Sequence, residues 1–185
     1  MLGWIIAAVA AIVIFWGLLT FNGLVRRRNL VAEAWSGIET QLKRRADLIP
    51  NLIETVKGYA AHERGTMEQL TKLRAQSQAA GGDMAQRAQT EQAITAAIGK
   101  IMAVAEAYPD LKASTNFQQL QSELADIEDQ IQLARRYYNA SVRDFNVMIQ
   151  QAPSNIIAGW FAFKPAEFFQ IEDAADRAVP KVSFS

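Results

Sequence analysis

Residues 2–28 read LGWIIAAVAAIVIFWGLLTFNGLVRRR. From Leu2 to Val25 no side chain is charged, and only Thr20 and Asn22, near the end, are strongly polar. A helix needs about 20 mainly apolar residues to cross the hydrocarbon of a bilayer, so the run predicts one membrane span. A cleaved signal peptide would want a basic start, a shorter apolar stretch and a small-residue cleavage site. Here Met1 to Gly3 carry no Lys or Arg, and Leu24, Val25 and Arg26 end the run. Trp4 at one end and Trp16 with Phe21 towards the other suit the two membrane interfaces. Basic side chains beside a span stay on the cytoplasmic side, so Arg26, Arg27 and Arg28 act as topology determinants. They put the N-terminus outside and the remaining chain in the cytoplasm. Gly3, Ala7 and Ala11 recur every four residues, a small-residue face through which two such helices can associate closely. The plainer reading is that Ala is common in apolar helices.

The 185 residues leave room for one ordinary domain beyond the anchor. Nineteen basic and nineteen acidic side chains balance, so no global field draws the chain to nucleic acid. With no Cys there is no disulfide framework, thiolate nucleophile or iron–sulfur cluster. A single His, His62, excludes zinc sites that need two histidines and the paired Glu-x-x-His motifs of di-iron bundles. No cofactor and no metal site is therefore expected.

Beyond the arginines, Trp35, Ile38, Leu42, Ala46, Ile49, Leu52, Val56 and Tyr59 recur at three- and four-residue steps, the mark of a helix with one apolar stripe. Pro50 interrupts it, and the helix is expected to kink or break around Ile49, with a kink favoured because the stripe keeps its phase. Ala79 to Asp83, with Gly81 and Gly82 adjacent, predict a reversal. A second helix carries Ile94, Ile98, Ile101 and Ala105 and stops at Tyr108, Pro109 and Asp110. A third starts near Thr115, where Thr115 and Gln118 have capping-box spacing. Its stripe runs from Phe117 through Leu124, Ile131 and Tyr138 to Ile149, ending before Pro153. No such stripe is buried alone. The expected fold is all-α: an N-terminal transmembrane helix followed by an antiparallel bundle of long helices with coiled-coil-like packing.

After Pro153 the composition turns aromatic. Ile156, Ile157, Trp160, Phe161, Phe163, Phe168 and Phe169 crowd a short stretch broken again at Pro165. One reading folds it back on the bundle as a cap; the other makes it an oligomer or partner contact, or a membrane-surface contact. Lys164 is its only cation, which ranks oligomer contact above lipid. The organisation is thus an anchor and basic flank over 1–28, a bundle over 29–152 and an aromatic segment and tail over 153–185.

Catalytic groups are hard to assemble. Glu106 and Asp110, or Glu123, Asp126, Glu128 and Asp129, offer carboxylates for acid–base work, but acidic residues on an amphipathic helix ordinarily form its wet face. His62 beside Glu63 lacks the second His of a zincin helix, and there is no phosphate loop or nucleophile elbow. Lys43, Arg44 and Arg45, and Arg135 and Arg136, read as a solvated face or as ion pairs inside the bundle. Tyr137 and Tyr138 read as buried polar contacts between helices.

Several blocks resemble the LemA family of bacterial membrane proteins. They are Lys43 to Leu52 (KRRADLIPNL), Val56 to Tyr59 with His62 and Glu63, Ala105 to Ala113 (AEAYPDLKA), Asn116-Phe117, Ala134 to Asn139 (ARRYYN), Phe145-Asn146 and Pro153 to Ala158 (PSNIIA). They are spread over most of Asn29 to Phe169. The resemblance implies a single N-terminal span in the cytoplasmic (inner) membrane and a long antiparallel bundle, and it carries no catalytic residues. It also implies association with membrane and organelle formation, and with membrane proteases. The expectation is a non-enzymatic scaffold that self-assembles and organises or shapes the cytoplasmic membrane. Its partners would be the lipid bilayer and further copies of itself, with no nucleic acid. An adaptor or regulator of a membrane protease, or of another membrane protein partner, is the alternative.

Overall fold

The structure, a computed structural model, describes residues 1–59, 64–79 and 84–170. Among these all regular structure is helical: α1 (Leu2–Lys57), α2 (Arg64–Ala79), α3 (Met84–Ala105), α4 (Pro109–Ala113), α5 (Thr115–Gln150) and α6 (Ser154–Trp160). The expected reversal around Gly81 and Gly82, and His62 with Glu63, lie outside the described residues. The chain divides into two compact units, one made of Met1–Arg45 and Ala125–Phe168, the other built on Ala46–Leu124.

In the first unit α1 and α5 run antiparallel, which the paired residues establish. Met148 reaches the position a Cβ on Gly23 would occupy, at 2.8 Å. Arg27 pairs with Asp144 at 3.8 Å, Trp35 stacks edge-on with Tyr138 at 5.4 Å, and Arg45 binds Glu128 at 2.7 Å. As the number climbs on α1 it falls on α5. Ala34, Ile38 and Leu42 on α1, and Ile127, Ile131, Tyr138, Val142 and Phe145 on α5, are buried as the two stripes require. Tyr138 meets the expectation of a partnered buried hydroxyl, donating to the Glu167 carbonyl at 2.8 Å, whereas Tyr137 is exposed.

In the second unit Ile49, Leu52 and Val56 join Met67, Leu70, Ile94, Ala97, Ile101, Ala105, Leu111, Phe117 and Leu124 in one core. The helix does not break at Pro50; α1 continues to Lys57. Proline has no amide hydrogen, so the Ala46 carbonyl loses its helical donor. The Arg74 guanidinium replaces it, donating from Nε to the Ala46 oxygen at 2.8 Å. The first stretch of helix instead ends at Lys57, before Gly58, and α2 is a separate helix that the apolar pattern alone did not mark off. Pro109, expected only to stop a helix, opens one: α4 begins on it, where a missing amide hydrogen is harmless. The capping box also differs. Gln118 donates its side-chain amide to the Lys112 carbonyl at 3.0 Å, and its backbone amide to the Ser114 carbonyl.

Candidate membrane interface

α1 is the one described helix long and apolar enough to cross a membrane. None of its apolar window is buried, unlike the core helix of a soluble protein. Leu2 to Val25 would extend about 36 Å, enough for the roughly 30 Å of hydrocarbon. Thr20 and Leu24 are buried within the fold, so the end of the apolar run is part of the packed unit. Gly3, Ala7 and Ala11 lie on an exposed helix with nothing within 4 Å of a Cβ built on Gly3.

At the end of the span the three arginines part company. Arg26 is exposed, Arg27 reaches Asp144, and Arg28 sits over the Phe163 ring with its guanidinium carbon 5.5 Å from the centroid. That cation–π contact joins the basic flank to the aromatic segment.

The aromatic segment forms a hook. After α5 the chain runs past the level of Gly23. A Cβ on Gly17 would lie 3.7 Å from Ile157 Cδ1, and Phe21 meets Phe161 at 4.6 Å and Phe163 at 5.9 Å between centroids. The chain then returns along α5. Phe163 touches Phe145, Ala166 exchanges two hydrogen bonds with the Asn146 amide at 2.8 and 2.9 Å, and Glu167 accepts from Tyr138. Burial pushes the Tyr138 hydroxyl above the usual phenol range, and the Glu167 carboxylate adds to the effect. Of the aromatic-segment residues singled out from sequence, Ile157 and Phe169 are buried and Phe163 is half-buried. Ile156, Trp160, Phe161 and Phe168 remain exposed, Trp160 at 79% and Phe161 at 57%.

Two features lie elsewhere. Arg45, 2% exposed, is held by the Glu128 carboxylate, so one member of the basic triplet serves the interior. In the second unit a groove of about 690 Å³ is lined by Ile53, Met67, Thr71 and Ala75 with Lys57, Arg64, Lys72 and Glu68 around it. Sequence reasoning missed this groove because it depends on the separation of α2 from α1 at Gly58. Among the described residues no three acidic or imidazole side chains gather as a metal-ligand set.

A continuous apolar helix built into an all-α bundle is the architecture of a single-pass, membrane-anchored helical protein. The LemA family profile matches residues 34–184, and the chain belongs to the LemA family. It is similar to the magnetosome protein MamQ 2 of Paramagnetospirillum magneticum, at 25% identity over 88% of this chain and 69% of the relative. The magnetosome protein MamQ of Magnetospirillum gryphiswaldense matches with the same identity and coverage. Protein LemA of Metamycoplasma hominis is 29% identical over 74% of this chain and 63% of its own length.

Proposed function

We propose that this protein is a non-enzymatic, membrane-anchored scaffold that self-assembles and organises a patch of the cytoplasmic membrane. The observation that carries the reading is the continuity of α1, which passes from the apolar run into its pairing with α5 with no linker. Span and packed helix are one element of the first unit, so whatever holds that unit also holds the span. Relatives that are magnetosome proteins agree with the membrane and organelle role that the family implies. The bundle stripes are spent inside the chain, on the Ile38 and Ile49 cores. Self-association therefore falls to surfaces that stay exposed, among them the Gly3, Ala7 and Ala11 face of the span.

The test is the mass of the full-length protein extracted in mild detergent over a range of concentrations. A discrete homo-oligomer is the expected result, and a monomer throughout would overturn the scaffold. The adaptor reading is favoured by the groove at Ile53 and Met67, whose apolar floor and cationic margin suit an amphipathic segment of a membrane protein partner. A monomer that retains one defined membrane protein, and releases it on a charge introduced at the exposed groove residue Ala75 (Ala75→Glu), would establish that reading instead.

A further inference from the structure

We infer that the hook around α6 is a second membrane contact, with Ile156, Trp160 and Phe161 embedded at the boundary between acyl chains and headgroups on the side where the bundle stands. This rests on the reading of α1 as a span. If Arg26 lies among the headgroups, Gly17 lies about 13 Å further along the helix, inside the hydrocarbon. Ile157 packs against the Gly17 position and Phe161 against Phe21, so α6 is held beside a part of α1 that lipid surrounds. The hook's outward residues, Ile156, Trp160 and Phe161, are exposed and apolar, and Phe161 packs at the level of Phe21, only about 7 Å along the helix from Arg26. Amphipathic interfacial elements settle at a depth of about 5 to 10 Å, and Trp is favoured there.

The backbone of the hook fits this place. Non-helical chain at membrane depth is tolerated only where its polar groups are satisfied. Ser154 donates its hydroxyl to the Met148 and Gln151 carbonyls, closing the end of α5. At the other end of α6, Phe163 N–H bonds the Ala158 carbonyl and Ala162 N–H the Gly159 carbonyl, around Ala162 in the left-handed region at φ 53°. This is a Schellman closure, which leaves few carbonyls facing outward. The fold also adds a second cation to the one the segment carries in sequence. Arg28 stands over Phe163 next to exposed Lys164, placing positive charge where the chain leaves the apolar layer, at the level of anionic headgroups. Lipid is thus favoured over a second copy as what covers this patch.

The chain has no Cys, so single cysteines can carry a nitroxide label without disturbing the core. The experiment places labels at Trp160→Cys, at Ile12→Cys in the span and at Ser36→Cys on the exposed face of the bundle. Each is the full-length protein in vesicles of phosphatidylethanolamine and phosphatidylglycerol. Accessibility to oxygen, which concentrates in hydrocarbon, is compared with accessibility to a water-soluble nickel complex. The expected result is a label at 160 that resembles 12, rich in oxygen collisions and poor in nickel, while 36 shows the reverse. A label at 160 open to nickel, or shielded from both quenchers by protein, while 12 remains in lipid, would overturn the hook's membrane contact and leave the span intact. Nickel access at 12 would refute the span and the hook together.

Discussion

Arg45 is a charge in a place where a charge is expensive. Its guanidinium is almost entirely buried, and Glu128 answers it from the facing helix. Removing Glu128 takes away a charged hydrogen-bond acceptor from a buried guanidinium, so Glu128→Ala is expected to destabilise the protein by about 2 kcal/mol. Arg45→Met combined with Glu128→Leu should recover most of that loss, as measured by urea unfolding of the detergent-solubilised protein. Tyr138 gives a pH-dependent counterpart. Its phenol is raised above the ordinary value near 10 by burial and by Glu167, so the native state keeps a proton that the unfolded chain releases. Stability from this group is complete below about pH 10 and is lost as pH rises towards the folded value. The difference in stability between the wild-type chain and Tyr138→Phe should therefore shrink or reverse above that pH. The sequence singled out both positions, Arg45 within a basic run read as a solvated face or ion pairs and Tyr138 on the stripe. It could not separate Arg45 from Arg44, or Tyr138 from Tyr137, because a single helical step divides buried from exposed.

Elements were legible to the degree that they follow period and punctuation. The apolar stripes of α1 and α5 gave their faces correctly, and Pro153 gave the end of α5. Proline and glycine needed tertiary context in three places, each for a local reason. Pro50 does not end α1, because a guanidinium from α2 takes over the orphaned Ala46 carbonyl. That donor is 28 positions away in sequence, out of reach of any local pattern. Pro109 starts a helix because its fixed backbone angle suits a first turn. Gly58 follows the last residue of α1, although the stripe pattern continues to Tyr59. The Pro50 account predicts a coupling. Arg74→Ala should cost about 1 to 2 kcal/mol in the wild-type chain, since it leaves the carbonyl unsatisfied. It should cost much less in the Pro50→Ala background, where the backbone regains an amide hydrogen and donates the missing bond itself. A double-mutant cycle on thermal unfolding measures the difference, and additive effects would discard the explanation.

At the scale of the molecule, what the fold supplies is placement. The apolar half of α1, the arginines that follow it and the aromatic hook are brought together by antiparallel pairing with α5. The hook's residues were visible in sequence as an aromatic cluster. Their level along the span was not, because it depends on contacts such as Gly17 with Ile157 and Phe21 with Phe161. The whole account turns on α1 crossing the bilayer with its arginines on the cytoplasmic side. The most direct test labels Gly3→Cys and Ser36→Cys with a membrane-impermeant maleimide in spheroplasts of an expressing bacterium. The account predicts labelling of the Gly3→Cys protein from outside, and of the Ser36→Cys protein only after the membrane is permeabilised. Labelling at 36 in intact spheroplasts, with 3 protected, would contradict it.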